Sequence, residues 1–427
     1  MSTDIPEGKE AAVKLADSDF ATDRREHDMK SAMLDYWNKL KAGELGALPA
    51  ILGLASLFAL FTILKPDTFL STGNIANLST QALPITILAM GLVFVLLVGE
   101  IDLSAGVASG LSAAVMAKLL VEAGQPWYVA VISAVAAGII IGAAIGWLVA
   151  ILRIPSFVVS LAFFLGLQGI TLWLIGEGGT VPVRDDVIVA LATRNMPIWL
   201  GWALAAACSA GYAATQLLRW RRQHARNLHS KPIEFVIAQS AIVAAVLLGA
   251  TYVLSLDRAA SPLIKLAGIP WGVPLVGTLL IACTFILGRT SFGRHIYAVG
   301  GNAEAARRAG INVVRIRISV FMIGSGLAAI SGIVAASRLN SVATDAGAGN
   351  TLLYAVGAAV IGGTSLFGGR GKARDAVFGG LVIATIENGL GLLGTKAYLQ
   401  FLITGVVLLL AASMDALARR RRSNAGR

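Results

Sequence analysis

The sequence predicts an all-α integral membrane protein, a polytopic helix bundle with about 10–12 transmembrane helices. Of its 427 residues, 56% are hydrophobic and only 14% are charged, a balance that soluble domains do not reach. The mean hydropathy of +0.75 agrees with this class. About a dozen apolar segments approach the roughly 20 residues that a helix needs to cross the hydrocarbon core. Short basic segments separate several of them.

The candidate spans follow one another along most of the chain. They cover residues 47–64, 82–99, 103–121, 127–151, 154–176, 197–218, 233–255, 269–287, 316–337, 352–368, 375–394 and 399–415. Two regions admit a second interpretation. Residues 352–368 are short and rich in glycine, and the break between the second and third spans contains Glu100 and Asp102. Either region is a full span or a re-entrant segment.

A polar tail, residues 1–46, precedes the first span, and its early part mixes charges without periodicity, which predicts disorder. Because the tail has no apolar core of its own, the first span is interpreted as an uncleaved membrane anchor. Near the end of the tail, Met29, Met33, Trp37 and Leu40 recur at helical spacing. This spacing predicts a helix that either lies on the membrane surface or is exposed in the cytosol.

Lysine and arginine concentrate in three segments. Residues 219–231 carry five of them and no acid, residues 288–317 carry six arginines against Glu304 alone, and residues 419–427 carry five arginines. The positive-inside rule places all three segments in the cytoplasm, and a count of twelve passes then puts both termini on that side. The formal charge of +11 reflects this orientation, since no basic and aromatic module for nucleic acid is present. Between the two tails, residues 47–418 form the transmembrane domain.

The cysteines and histidines follow no pattern typical of a metal site or a disulfide. Cys208 and Cys283 lie inside apolar spans and are interpreted as packing residues, and the four histidines lie in polar segments without a second ligand at helical spacing. No nucleophile and base stand on neighbouring turns, which disfavours an intramembrane enzyme. The sequence therefore predicts no metal and no catalytic site.

Small residues recur at helical spacing in two spans. Gly138, Gly142 and Gly146 stand four residues apart, and Gly106 and Gly110 repeat that interval. Small residues allow helix backbones to approach closely in lipid, where no hydrophobic force drives association. These glycines predict bundle packing, with a moving interface as the alternative.

One basic segment between two spans, residues 291–313, contains a strong helix former. "AEAARRAG", residues 303–310, favours a short helix that stops at Gly310. Such a helix has no core of its own to join. It either docks in a groove of another protein, with Glu304, Arg307 and Arg308 at the edge, or it is a solvated loop that marks the cytoplasmic side.

Four stretches of the chain resemble one transport family. "GRHIYAVGGNAEAARRAGINV" (293–313) closely resembles the cytoplasmic coupling segment of sugar-importing ABC permeases, whose members carry ribose, xylose, arabinose or galactosides. "LVGEIDLSAG" (97–106), "IPSFVVSLAFFLGLQGI" (154–170) and "AVIGGTSLFGGRG" (359–371) agree with the same family in the same order. The extra spans and basic linker near residues 197–255 look most like the longer, xylose-type members. The resemblance runs from about Leu78 to Asp415.

The resemblance implies a transmembrane subunit of a type II ABC importer in the bacterial inner membrane, with D-xylose as the first substrate. Two such subunits would pair around the pathway, an ATPase dimer would grip residues 291–313, and a periplasmic sugar-binding protein would dock outside. ATP and magnesium would belong to the ATPase. The Gly-Lys pairs at residues 8–9 and 371–372 lack the Ser or Thr and the upstream glycine of a phosphate loop.

The family motifs assign roles to individual residues. Contact with the ATPase is implied for Gly300, Gly301, Asn302, Glu304, Ala305, Ala306, Arg307, Gly310 and Ile311. The predicted pathway or gate residues are Glu100, Asp102, Ser104, Ser156, Ser160, Gln168, Glu387 and Asn388. Ionisable groups at membrane depth are costly unless they face a partner or water, which favours the pathway for the acidic ones. Asp102 as a helix cap, and serines bonded to their own helix, are the alternatives.

The chain departs from the family pattern at pathway positions. Gln168 replaces a common arginine, and Leu352, Leu353 and Tyr354 stand where an acidic pair is usual. These changes bear on the substrate rather than on the transport class. An ion-coupled secondary transporter, with Glu100 or Glu387 as its relay, is the competing hypothesis.

Overall fold

The computed structural model describes residues 48–225, 232–259 and 266–424. The N-terminal tail with its predicted surface helix, residues 226–231 of the basic linker, and the last three residues lie outside this part of the chain. The helices in chain order are α1 (Leu48–Leu64), α2 (Pro66–Phe69), α3 (Thr72–Leu97), α4 (Ala105–Val121), α5 (Trp127–Ala150), α6 (Ser156–Ile175), α7 (Asp186–Thr193), α8 (Ile198–Ala225), α9 (Ile233–Ser255), α10 (Gly272–Arg289), α11 (Ser291–Gly301), α12 (Ala303–Arg308), α13 (Val313–Leu339), α14 (Thr351–Gly362), α15 (Ala373–Leu392) and α16 (Ala397–Asn424). The strands are β1 (Thr180–Pro182) and β2 (Ser341–Ala343).

The predicted helix bundle is confirmed, and each of the predicted spans contains a helix. Within the described ranges, eight helices are long and apolar enough to cross a membrane. Four apolar stretches are shorter, namely α1, α4, α14 and the first part of α16, Ala397–Val407. Helix α14 ends at Gly362, six residues before the predicted limit of 368, because Gly363 adopts a left-handed backbone. Helix α16 continues to Asn424, beyond the predicted start of the basic tail at 419.

Helix α3 begins at Thr72, ten residues before the predicted limit of 82. The apolar pattern did not predict this start, because the first turns of α3 are polar. The side chain of Ser71 accepts a hydrogen bond from the Asn74 backbone N–H and caps the helix. Pro84 lies inside α3 and leaves a neighbouring carbonyl without its usual donor. The Ser331 hydroxyl of α13 donates to the Pro84 carbonyl at 2.7 Å, so a side chain ties the two helices at this point.

A small antiparallel sheet departs from the strictly all-α prediction. Strands β1 and β2 pair with Thr180 opposite Ala343, and β1 lies in a segment that the sequence suggested was a loop. Three residues with one buried side chain are too short for the alternation that predicts a strand. The pairing fastens the chain after α6 to the chain after α13.

Helix α13 occupies the centre of the bundle and packs along α5, α3 and α4. The predicted packing role of the glycines is confirmed, because Gly138, Gly142 and Gly146 of α5 all face the α13 backbone. A Cβ at Gly142 would lie 2.3 Å from the Phe321 carbonyl oxygen. Gly110 of α4 meets the segment before α14 equally closely, with a Cβ falling 1.8 Å from the Ala346 carbonyl oxygen. Backbones therefore touch where any larger residue would hold them apart.

Helices α8 and α9 pack mainly on each other at the edge of the bundle, with a smaller contact from α9 to α3. In the most apolar window of α9 no residue is buried, whereas 83% of the corresponding window of α3 is buried. Between α9 and α8, the Gln239 side-chain amide donates to the Tyr212 hydroxyl at 2.8 Å.

Candidate functional site

The four stretches that carry the family resemblance meet at one end of the bundle. The last turn of α3, the end of α11 and the turn between α14 and α15 are in backbone contact. The Gly369 N–H donates to the Leu97 carbonyl at 2.8 Å. A Cβ at Gly300 would lie 1.7 Å from the same Leu97 oxygen. We call this contact of Leu97, Gly300 and Gly369 the backbone junction.

The start of α6 joins the same region from the other side. The Ile101 backbone N–H donates to the Ser156 hydroxyl at 3.1 Å. The Ser160 hydroxyl lies 3.4 Å from the Ile101 carbonyl and 3.3 Å from the carbonyl of Phe157 in its own helix. Ser156 and Ser160 are buried, and their bonds hold the break between α3 and α4.

The predicted coupling segment, residues 291–313, contains a pair of short helices with defined caps. The Asn302 side chain accepts from the Ala305 N–H at 2.9 Å and starts α12, and Asn312 starts α13 by accepting from the Arg315 N–H at 2.9 Å. Gly310 has a φ of +84°, the left-handed conformation that lets the chain turn after α12. These caps fix the direction in which α12 projects.

The residues assigned to ATPase contact divide into two groups. The exposed ones are Gly301, Asn302, Glu304, Ala305, Arg307 and Gly310. By contrast Ala306 is buried, Ile311 is half-buried against the central core, and Gly300 belongs to the backbone junction. The exposed group forms the surface that another protein can reach, and the inward group seats the segment on the bundle.

Charge on α12 is organised around Glu304. Arg307 lies 2.7 Å and Arg308 lies 3.3 Å from its carboxylate oxygens. The hydrogen bond from Arg307 and, secondarily, that from Arg308 hold the pKa of Glu304 below its usual value, so the carboxylate is ionised at neutral pH. The helix therefore presents one carboxylate flanked by two guanidinium groups, and this surface suits contact with polar residues of a partner protein.

Helix α11 has a second anchor beside the junction. The Tyr297 hydroxyl donates to the Gly371 carbonyl at 2.7 Å. Burial, together with the nearby Asp375 carboxylate, raises the pKa of Tyr297, so its hydroxyl keeps the proton that this bond requires. Movement of α11 must carry the turn before α15 with it or break this bond.

The break between α3 and α4 contains the acidic motif. Gly99 has a φ of +78°, which ends α3. Asp102 is buried, and its Oδ1 accepts from the Ser104 N–H at 2.9 Å and from the Ser104 hydroxyl at 2.6 Å. These bonds match the capping alternative for Asp102. Its other oxygen, Oδ2, is buried without a hydrogen-bond partner in the described part of the chain.

Glu100 faces a different direction from Asp102. Its Oε1 lies 3.0 Å from Nε of Arg317 in the second turn of α13. Both side chains line a cavity of about 440 Å³ whose wall also includes Arg153, Glu304 and Arg307. Sequence reasoning missed Arg317 because it counted this residue only as a positive-inside charge. Its position inside an apolar helix was the available signal, since a charge there needs a partner.

The remaining predicted pathway residues lie away from the junction. The Asn388 amide exchanges two 2.9 Å hydrogen bonds with Asn74 in the first turn of α3, roughly 35 Å along that helix from Leu97. Glu387 is half-buried, and an electrostatic interaction links it to Arg338 of α13. Gln168 is half-buried on α6. The pathway role stays a prediction for Glu387, Gln168 and Asn388, and the amide of Asn388 is hydrogen-bonded to Asn74.

Comparison with known proteins identifies the class. The family described as the permease component of branched-chain amino acid transport systems matches residues 74–412, which include all four stretches. The chain belongs to this family of ABC-importer permeases. No solved structure matches the chain.

Several curated permeases match nearly the whole chain. The xylose transport system permease protein of Escherichia coli K12 is 36% identical over 90% of this chain and 94% of its own length. The Haemophilus influenzae protein of the same name is 34% identical over 90% of this chain and 99% of its own. The ribose import permease protein of Escherichia coli K12 is 32% identical over 86% of this chain and 92% of its own.

Proposed function

We propose that this chain is the permease subunit of a binding-protein-dependent importer for a monosaccharide, with D-xylose as the first candidate. The observation that carries the proposal is the exposed helix α12, which projects from the end of the bundle where all four family stretches meet. A short charged helix fixed in this way suits a partner that moves it. The chain supplies the pathway, and a separate ATPase supplies the work.

The substrate proposal rests on the relatives. Those with the highest identities given above are named for xylose, and proteins named for ribose and for D-allose follow at 32% and 31% identity. Because these values are close, ribose, arabinose, galactose and allose are the second candidates. The family description names branched-chain amino acids, but the sugar-named relatives cover 85–90% of the chain. A sugar is therefore the better-supported class.

Three partners follow from this function. An ATPase dimer, which holds ATP and magnesium, binds the exposed surface of α12. A periplasmic sugar-binding protein delivers the substrate at the other end of the bundle, and a second copy of this chain completes the pathway. The end that carries α12 faces the cytoplasm of a bacterial inner membrane, with both termini on that side. Nucleic acid has no part in this scheme.

The mechanism proposed is alternating access. Closure of the ATPase dimer pushes α12 and α11, and the backbone junction passes that movement to the end of α3. Tyr297 passes it to the turn before α15 in the same step. The break that contains Glu100 and Asp102, which α6 holds through Ser156, then shifts relative to α13, and the pathway opens to sugar released by the binding protein.

The first experiment measures uptake of labelled xylose, ribose, arabinose, galactose and allose in cells with and without this chain. Loss of xylose uptake alone supports the full proposal, and loss of another sugar moves the substrate within it. Uptake that persists after ATP depletion but disappears with the proton or sodium gradient favours the ion-coupled alternative. Unchanged uptake of all five sugars contradicts the monosaccharide assignment.

The second experiment tests the coupling surface. Glu304→Arg replaces the acid of α12 with a third base, and we expect at least a tenfold loss of uptake with normal amounts of protein in the membrane. The matched control is Glu234→Arg, the same charge reversal at an exposed position on the peripheral helix α9. Equal transport by the two variants contradicts the role of α12.

A further inference from the structure

Arg317 has no role in the function proposed above, yet it holds a mostly shielded acid. Its Nε lies 3.0 Å from Oε1 of Glu100, and the side chains are 28% and 13% exposed, respectively. An exposed ion pair contributes little to stability, but truncating one partner of a shielded pair leaves the other charge uncompensated. The pair therefore couples the start of α13 to the break between α3 and α4.

The geometry of this pair suits a contact that opens and closes. The Arg317 Nε–H makes no aligned hydrogen bond within the described structure, so the attraction to Glu100 is mainly charge on charge. Such an attraction has little directional preference and weakens gradually as the groups separate. The neighbouring cavity of about 440 Å³ gives both side chains room to move apart.

The two sides of the pair are tied to different parts of the molecule. Arg317 lies five residues after the Asn312 cap, so displacement of the coupling segment acts directly on the turn that carries it. Glu100 lies beside Ile101, whose N–H is held by Ser156 of α6. A tilt of α12 therefore changes the distance between Arg317 and Glu100 while α6 retains the break.

We propose that Arg317 is a positioning residue that holds the acidic break against α13, and that its ion pair with Glu100 separates when the ATPase moves the coupling segment. This inference rests on the proposed function. It assigns the Glu100 and Arg317 pair to control of the break and not to direct contact with sugar.

The test uses the reconstituted importer, with permease, ATPase and binding protein, and measures sugar uptake and ATP hydrolysis in the same vesicles. In Arg317→Gln the break is no longer held against α13, so ATP hydrolysis persists while uptake per ATP falls by about tenfold, the effect of ~1.4 kcal/mol of lost coupling. The double variant Glu100→Arg with Arg317→Glu restores the pair in reverse and recovers at least half of the wild-type ratio.

Arg222→Gln is the matched control, because it removes one exposed arginine at the end of α8 that does not line the cavity. It should keep the wild-type ratio of uptake to hydrolysis. If Arg317→Gln does not accumulate in the membrane, Glu100→Gln removes the same attraction with a side chain of equal size. The inference is wrong if an Arg317 or Glu100 variant has the same ratio of uptake to hydrolysis as Arg222→Gln. It is also wrong if the reversed pair does not recover the wild-type ratio. Absence of binding-protein-stimulated hydrolysis in the wild type instead contradicts the proposed function.

Discussion

The centre of the bundle and its edge are built in opposite ways. Around α13 the backbones touch through glycines, and an added methyl group has no space. In the pair of α8 and α9, by contrast, Gly211 and Gly249 have no atom within 4 Å of an added Cβ in the described structure. The same residue type thus marks a packing surface in one region and open surroundings in the other.

This difference teaches that glycine spacing alone does not locate an interface in a membrane protein. Small residues permit close approach, but a second helix must be present to use it. At the centre, substitution separates helices that are packed backbone against backbone. At the edge, it alters only local helix propensity, so the two regions predict different responses to the same change.

The largest effect is expected for Gly142→Ala. The new Cβ would lie 2.3 Å from the Phe321 carbonyl oxygen and 2.8 Å from the Met322 Cα, and a backbone cannot rotate away as a side chain can. We expect a loss of about 3 kcal/mol or more in the free energy of unfolding, at the upper end of overpacking effects. Detergent-induced unfolding of the purified protein measures it, and a loss no larger than that of Gly249→Ala on α9 removes the distinction between centre and edge.

An intermediate effect is expected for Asn388→Ala, which leaves the buried Asn74 Oδ1 without its donor, while Asn74 Nδ2 keeps its hydrogen bond to the Phe69 carbonyl. A buried polar group left unpaired costs about 1–3 kcal/mol. The same unfolding measurement checks this value, and Asn74→Ala with Asn388→Ala should lose less than the sum of the two single variants. Simple additivity in this double variant contradicts a direct bond between the two amides.

A small effect is expected for Tyr212→Phe at the edge, where the hydrogen bond from Gln239 is lost. Side-chain hydrogen bonds between membrane helices contribute about 0.6 kcal/mol on average. The free energy of unfolding should fall by that amount, and sugar uptake should not change. A loss as large as that of Asn388→Ala shows instead that α8 and α9 are integral to the packed centre.

The smallest effect is expected for Gly249→Ala, the control for Gly142→Ala. No described atom obstructs the added methyl group, and alanine favours a helix by about 0.5–1 kcal/mol over glycine. Stability should stay equal or rise slightly in the same unfolding assay. A clear loss means that a further surface, such as a second copy of this chain, covers α9.

The class and the spans were predictable because a helix that crosses lipid must be long and apolar, and such segments are visible in the sequence. Close packing at Gly142 was also predictable, because small residues four positions apart allow helix backbones to approach in lipid. The partner helix, α13, was not. The start of α3 was not, because Thr72 and Asn74 look like loop residues until Asn388 supplies a partner from more than three hundred positions away. Contacts this distant in sequence leave no local periodicity.

The candidate site divides in the same manner. The caps at Asn302 and Asn312 and the stop at Gly310 follow from local chemistry, so the coupling helix was accessible to sequence reasoning. The ion pair of Glu100 with Arg317 joins two helices and required coordinates. The inward position of Ala306 also depends on which side of a six-residue helix meets the bundle, and alanine carries no polarity to reveal it.

The backbone junction has a practical consequence for measuring motion. Because Gly300 and Leu97 meet without side chains between them, the two helix ends cannot slide past each other without breaking contact. The next residue, Gly301, has no described atom within 4 Å of an added Cβ. A spectroscopic label attached to a cysteine there would report the displacement of the end of α11, and through the junction that of α3, without entering the bundle.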